Sequence, residues 1–194
     1  MTNNIFSQEK LFDIRDSISY ETKLINELIW MNENLKFKSK NSFCTKKNEV
    51  CKLGNYYSNF DLESIVPENC RIPTVNEWIN LIKEGFIKSN IELTKMIIDT
   101  TENGSIRIRG INLFNVKDFI ELKPTSWVEG GKINELYLKK KFSLATFWVI
   151  DEKNHNSLTH IHIKEKEIII HSHDHNIMDK EENVRMFSVR CIKK

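Results

Sequence analysis

The six histidines of the chain all lie between positions 155 and 175, where several of them alternate with other residue types. Imidazole nitrogens bind zinc, nickel and copper, and a zinc site needs about three or four ligands at roughly 2.0–2.1 Å. Clustered imidazoles also titrate at about pH 6–7 and repel one another once they are charged. The pattern therefore indicates a transition-metal site or a pH-responsive surface, with a solvated or partner-packed strand face as the structural alternative.

A β-hairpin is predicted to position these histidines. Two alternating runs flank the charged tetrad Lys164–Glu167, and period-two alternation broken by a short charged segment is typical of a hairpin. With the turn centred on this tetrad, His160 lies opposite His171 and four isoleucines share one face, a register that a one-residue slip would destroy. The predicted histidine face carries His160, His162, His171, His173 and His175. His160, His171 and His173 are the predicted metal ligands.

Catalysis has little support in the remaining sequence. A nucleophilic pair would need Cys70 or Cys191 to meet a histidine and an oxyanion hole, and no motif indicates that arrangement. Trp127 lies close to Glu129 in the polar segment KPTSWVEGG and is the predicted exposed aromatic contact, with loop packing as the alternative. A non-enzymatic binding module is therefore expected, and its predicted partner surface comprises Trp127, Glu129 and the histidine face.

Composition and charge restrict the classes of partner. The chain has 194 residues, of which 40% are hydrophobic and 29% charged, values that are typical of a globular domain. A net charge of +2 is too small to argue for nucleic acid or a membrane surface. No apolar run approaches the roughly 18 residues of a transmembrane helix, so membrane insertion is not expected. The N-terminus shows no signal peptide, which by itself favours the cytoplasm, although an exported particle component would have the same appearance.

The cysteines leave their pairing open. Cys44 and Cys51 are seven residues apart in a polar loop and can close a small disulfide ring. Their spacing fits neither a CxxC motif nor a Cys/His finger, so a structural zinc site is not expected there. Free thiols are the alternative, because the sequence does not define the redox compartment.

The other elements are predicted to form one domain, residues 11–194, after a polar arm, residues 1–10, that is mobile or docks elsewhere. Short strands with turns near residues 16–19 and 26–27 are expected first, and a helix over residues 20–32 is the competing prediction. Further strands are expected at residues 105–111, 142–150 and 186–193, and residues 91–99 are expected to form a helix or a strand. The core is expected to contain Trp30, Trp78 and Trp148.

The clearest local signal is a helix in the segment CRIPTVNEWINLIKEG. Thr74 is the predicted N-cap, and Glu77, three residues later, completes a capping box. Apolar residues follow at i, i+3, i+4 and i+7 from Val75 and form one stripe. Gly85 is expected to end the helix.

Several of these segments together resemble one known family. FDIRDSISYETKLINELIWMNENLKF resembles the opening of the Fibrobacter succinogenes major paralogous domain, in which a D-x-R-D turn precedes a W-M-x-x-N-L strand. RIPTVNEW, at residues 71–78, is similar to its R-L-P-T-x-x-E-W helix start, and FSVRCIK, at residues 187–193, is similar to its terminal strand. Cys44 and Cys51, followed by LGNYYSNFDLESIVP, look like its Cys…Cys loop. The matches occur in family order over residues 12–193.

The resemblance implies an α+β, C-type-lectin-like fold, a superfold shared with formylglycine-generating enzymes. Such a fold has small twisted antiparallel sheets, two helices, and adjacent N- and C-terminal strands. The resemblance also implies a recognition or adhesion module that binds a glycan or protein on a cell or particle surface, in an extracellular or virion-associated location. A structural assembly subunit, forming a homo-oligomer in a phage particle or surface appendage, is the alternative function, and a metal-dependent enzyme is the third.

This chain departs from the family in several places, including the segment Phe147–Asp151, which stands where the family has W-W-S-S-T. Related domains often have tyrosines and aspartates in the hairpin where this chain has its histidines. Val66 stands where the family has a cysteine, and Cys70 occupies the position of a family tryptophan. The histidine face is therefore expected to be the part of the scaffold that is specific to this chain.

Overall fold

The computed structural model describes residues 9–44, 52–123, 125, 127–129, 132–133, 143–154, 157–174 and 184–194. These residues form a mixed α+β structure of antiparallel sheets with two short helices. Within these ranges, none of the helices has both the length and the apolar character needed to cross a membrane. The first strand begins at Lys10, at the end of the predicted arm, and residues 1–8 lie outside the described part of the chain.

The first sheet gathers strands from both ends of the chain. Its order is β1 (Lys10–Asp13), β2 (Ile18–Ile25), β3 (Leu28–Met31), β13 (Ile192–Lys193) and β4 (Cys70–Arg71). The β2–β3 turn has positive φ angles at Asn26 (49°) and Glu27 (65°), as a tight two-residue hairpin turn requires. The strand prediction for this region is thus confirmed, and the competing helix is absent.

The terminal strands share this sheet but are not neighbours. β13 pairs with β3, with Ile192 opposite Trp30, so β2 and β3 separate it from β1. The expected adjacency of the N- and C-terminal strands is therefore wrong. The reason is burial, because Trp30 and Met31 point to opposite faces of β3 and both are buried. A strand that is buried on both faces belongs in the interior of a sheet.

Helix α2 (Val75–Lys88) follows the shorter α1 (Leu62–Ile65) and begins where its capping box predicts. Thr74 Oγ1 accepts from the Glu77 backbone N–H, and the Glu77 carboxylate accepts from the Thr74 backbone N–H. The helix continues past Gly85, however, so the predicted end is wrong. A Cβ at Gly85 would lie 2.6 Å from Leu113 Cδ2, which shows that this glycine allows close packing in the helix interior.

The central sheet holds the predicted histidine hairpin. Its order is β5 (Ile97–Thr100), β6 (Ile106–Arg109), β11 (Glu167–Asp174), β10 (Ser157–Lys164) and β9 (Leu144–Val149). His160 lies opposite His171 and Ile161 opposite Ile170, so the predicted register is confirmed. A small third sheet contains β12 (Arg185–Met186), β7 (Val128–Glu129) and β8 (Lys132–Ile133).

Two apolar clusters lie on opposite faces of this sheet. The isoleucine face of the hairpin packs with Trp78, Phe86 and Phe147 in the larger cluster. On the histidine face, Trp148 and Leu158 join Phe187 and Tyr20 in a second cluster. All three tryptophans expected in the core are buried there. The second cluster covers part of the histidine face and thereby decides which histidines are accessible.

Candidate metal centre

Three histidines converge on the covered edge of the histidine face. His160 and His162 lie on β10, and His171 lies on β11 directly opposite His160. One ring nitrogen from each of the three lies within 4.8 Å of the others. Because the hairpin register positions all three backbones, the cluster is a product of sheet pairing and not of a flexible loop.

His160 is buried, with only 1% of its surface exposed. Its ring stacks on Phe187 at 4.3 Å and meets Trp148 edge-on at 6.2 Å. The strand-like segment that carries Phe187 is held over β9, because the Trp148 backbone N–H donates to the Ser188 carbonyl at 3.1 Å. The expectation of an open face is therefore wrong at His160. Its Nδ1 is buried and has no hydrogen-bond partner among the described residues.

His162 and His171 are partly exposed and are held by different contacts. The His162 ring meets Trp127 edge-on at 5.4 Å. His171 Nδ1 lies 3.0 Å from the Oγ of Ser105, the residue directly before β6. A hydroxyl that binds one ring nitrogen orients the imidazole and leaves its other nitrogen available, which is the usual arrangement around a metal ligand.

The predicted ligand set differs from the observed cluster by one residue. His162 belongs to the group of close nitrogens, whereas His173 does not. The His173 ring stacks almost parallel to His160, at an interplanar angle of 13°, while His162 meets His160 and His171 at 67° and 87°. The centre of the His162 ring lies 4.8 Å from that of His160 and 5.1 Å from that of His171. The corresponding distances for His173 are longer, 5.2 and 6.1 Å. The spacing of the rings, which alternation along the strand does not specify, therefore separates His162 from His173.

Burial and mutual repulsion keep these imidazoles neutral. Burial, followed by the neighbouring histidines, holds the pKa of His160 well below its usual value. The same causes lower the pKa of His162 to about 3 and that of His171 to about 4. A neutral imidazole is the form that coordinates a metal, so the three side chains are ready ligands near pH 7.

The spacing suits a transition metal after a small contraction. Tetrahedral zinc with Zn–N bonds of about 2.0–2.1 Å places its nitrogens about 3.3 Å apart. The observed upper limit is 4.8 Å, so closure requires movements of at most about 1.5 Å. Rotation about the two side-chain torsions of a histidine covers that distance without moving the strands. Zinc, nickel and copper all accept imidazole, so the site does not by itself select among them.

An open groove adjoins the cluster on the side of β5 and β6. It has a volume of about 580 Å³, and His171 is part of its wall. Asp99, Thr101, Asn103, Arg107 and Ile169 are among the other lining residues. The cluster therefore lies between a dry aromatic side, formed by Phe187 and Trp148, and a polar open side.

The remaining predicted site residues are not members of the cluster. Trp127 packs against the second cluster and His162, so the loop-packing alternative describes it better than an exposed contact. Glu129 forms a 2.9 Å ion pair with Arg185. Cys44 is disulfide-bonded, whereas Cys51, its predicted partner, and His175 lie outside the described residues.

Two contributors to the cluster were not predicted as part of it. Ser105 is 66 residues from His171 in the chain, and Phe187 belongs to the terminal segment. No local pattern marks either residue, because both reach the site only through pairing of distant strands.

No family model matches the chain, and no curated protein or solved structure matches it either. The resemblance to the Fibrobacter succinogenes major paralogous domain therefore depends on the motifs quoted above. Function is inferred from the geometry of the histidine cluster.

Proposed function

We propose that this chain is a non-enzymatic recognition module that binds one transition-metal ion, foremost zinc, at His160, His162 and His171. The observation that carries the proposal is the convergence of three ring nitrogens within 4.8 Å. A second feature supports it, since His160 Nδ1 is a buried polar atom without a partner in the described structure. Such an atom costs about 1–3 kcal/mol unless something satisfies it, and a metal ion would.

The surroundings support ligation by neutral imidazoles. When His171 Nδ1–H donates to Ser105 Oγ, Nε2 is free to face the ion. The aromatic side of the site excludes water, which strengthens the attraction between the ion and the ring nitrogens. Nickel and copper are the alternative ions, because three imidazoles suit them as well.

Recognition would take place at the open side. Three protein ligands leave one tetrahedral position for a donor atom from outside the chain. His171 contributes to the wall of the groove of about 580 Å³, so a partner lying in this groove would contact the edge of the metal site. A hydroxyl or carboxylate of a glycan, or a side chain of a protein, supplies such a donor.

A recognition role is favoured over catalysis by the lack of an acid partner for the cluster. In the described part of the chain, no carboxylate hydrogen-bonds to a histidine, so Ser105 and His171 lack the third group of a triad. Ser105 is also only 5% exposed, so it cannot reach a substrate in the groove.

The C-type-lectin-like fold is part of the same proposal. It is supported by the capping-box helix directly after R-I-P-T and by β13, at the end of the F-S-V-R-C-I-K segment, which pairs with β3 in the N-terminal sheet. The disulfide at Cys44 supports an extracellular or particle-surface location, because disulfides persist in oxidising environments.

Metal titration of untagged protein tests the proposal. Calorimetry after chelator treatment should give one zinc per chain, and His171→Gln should weaken binding at least about a hundredfold, because one of three ligands is lost. His173→Gln is the matched control, since its ring lies in the same stack but outside the ligand group. Sub-stoichiometric binding, or equal losses in the two variants, would refute the site.

Cobalt substitution tests the open position. Four-coordinate cobalt absorbs strongly in the visible region, and added imidazole should change its bands by entering the remaining position. If the visible spectrum of the cobalt-loaded protein does not change when imidazole is added, recognition through the ion is contradicted. Metal binding at the site would still stand.

A further inference from the structure

Arg190 is a buried cation at a distance from the histidine cluster. Only 2% of its surface is exposed, and its guanidinium carbon lies 5.3 Å from the centre of the Phe147 ring. Burial lowers the pKa of Arg190 to about 9. A buried charge is costly unless it is paired.

The hydrogen-bond partners of Arg190 are all neutral. Nε donates to Asn34 Oδ1 at 3.0 Å, Nη1 donates to the Met31 carbonyl at 3.5 Å, and Nη2 donates to the Glu121 carbonyl. A guanidinium has five N–H donors, so these bonds use three of them. Two donors and the full positive charge thus remain without an acidic hydrogen-bond partner among the described residues.

The nearest carboxylates are engaged by lysines. Glu33 pairs with Lys36, and Glu121 pairs with Lys123 at 3.1 Å. Both glutamates attract Arg190 through space, but neither carboxylate accepts a hydrogen bond from it. Internal compensation of the buried charge is therefore incomplete.

A cavity of about 100 Å³ lies against Arg190. Its wall includes four basic and two acidic side chains: Lys36, Lys52, Lys123 and Arg190, with Glu33 and Glu121. Asn32, Asn34 and Leu53 complete the lining. The cavity has room for a group of waters or one small oxoanion.

We propose that this cavity is a binding site for a small oxoanion, held by the Arg190 guanidinium and by Lys36 and Lys123. Two oxygens of a phosphate, sulfate or carboxylate match the unused N–H donors of a guanidinium, which favours forked pairing with such groups. The anion would supply a negatively charged hydrogen-bond acceptor, which Arg190 lacks among the described residues. The site shares no residue with the histidine cluster and does not depend on metal binding.

Thermal unfolding at constant ionic strength tests the proposal. Replacing chloride by phosphate or sulfate should raise Tm saturably, by at least about 3 °C, because the ligand binds only the folded state. Parallel titrations with acetate and glucuronate distinguish the sources, since a response to glucuronate assigns the carboxylate of an acidic sugar and a response to phosphate or sulfate alone assigns a free tetrahedral anion. Either response supports the site, and no saturable response to any of the four overturns it.

Two variants keep the test independent of folding defects at Arg190. Lys36→Gln with Lys123→Gln should weaken anion binding at least about tenfold, because two cations are lost and the two glutamates are released toward Arg190. Lys153→Gln, an exposed lysine outside the cavity, is the control and should leave the response unchanged. Equal responses of the double variant and the control would overturn the site.

A carboxylate introduced beside Arg190 gives the most direct test of whether the charge of Arg190 attracts the anion. Asn34→Asp places a carboxylate where the amide oxygen now accepts from Arg190 Nε at 3.0 Å. The new ion pair should abolish the anion-dependent rise in Tm, because the charge that attracts the anion is already compensated. A full anion response in folded Asn34→Asp protein would contradict the role of Arg190.

Discussion

Acidification should destabilise this fold through His162 before most carboxylates titrate. Burial and the neighbouring charges lower the pKa of His162 from 6.5 to about 3. Below about pH 6.5 the unfolded chain therefore binds a proton that the folded chain excludes, so stability falls as the pH falls from about 6.5 toward 3. Across two pH units of this window, the loss of unfolding free energy is on the order of 2 kcal/mol.

Urea unfolding of metal-free protein at about pH 7.5, 6.5, 5.5 and 4.5 measures this effect. His162→Gln should flatten the curve by about 2 kcal/mol between pH 6.5 and 4.5, because glutamine does not titrate. His171 adds a smaller effect of the same sign, since its pKa falls only to about 4 and its ring is partly exposed. Carboxylates with lowered pKa, such as Asp13 and Glu77, lose their contribution only at lower pH.

His173→Gln is the control for this measurement. Its pKa is lowered by burial and by Arg185, with no histidine among the causes, so its variant should change the slope less. Parallel curves for wild type and His162→Gln, within about 0.5 kcal/mol over the window, would show that His162 is not held neutral by the cluster.

Three further results are expected. Thr74→Ala should cost about 1 kcal/mol in urea unfolding, because it removes the oxygen that caps helix α2; no change would show that the cap is dispensable. Gly85→Ala should cost about 1–3 kcal/mol despite the higher helix propensity of alanine, because its Cβ would meet Leu113 at 2.6 Å; a stabilised variant would contradict close packing there. The free thiols of Cys70 and Cys191 should react with a thiol reagent only after unfolding, because both are buried; rapid labelling of folded protein would show otherwise.

Local patterns predicted the elements that carry their own signals. The isoleucines at every second position allowed one hairpin register, and the structure has that register because a slip would expose them. The capping box at Thr74 and Glu77 predicted the start of helix α2 for a similar reason, since both hydrogen bonds form between residues three apart.

Gly85 shows where a local pattern misleads. Glycine after an apolar stripe is typical of a helix end, yet here the absence of a Cβ serves contact with Leu113, 28 residues later. The position of β13 is a comparable case, because burial of β3 on both faces places it inside the sheet. Neither contact has a signature in the neighbouring sequence.

The sequence by itself determined that the histidines share one face of a hairpin, because alternation is a property of any extended strand. Only the tertiary structure decided which of them converge. Phe187 covers His160, and Ser105 holds His171. The spacing of the rings places His162 in the cluster in place of His173. The same holds for Arg190, whose burial beside a cavity depends on strands that meet only in the folded chain. Chemistry at both sites follows from solvent exclusion, and solvent exclusion is set by packing between residues far apart in sequence.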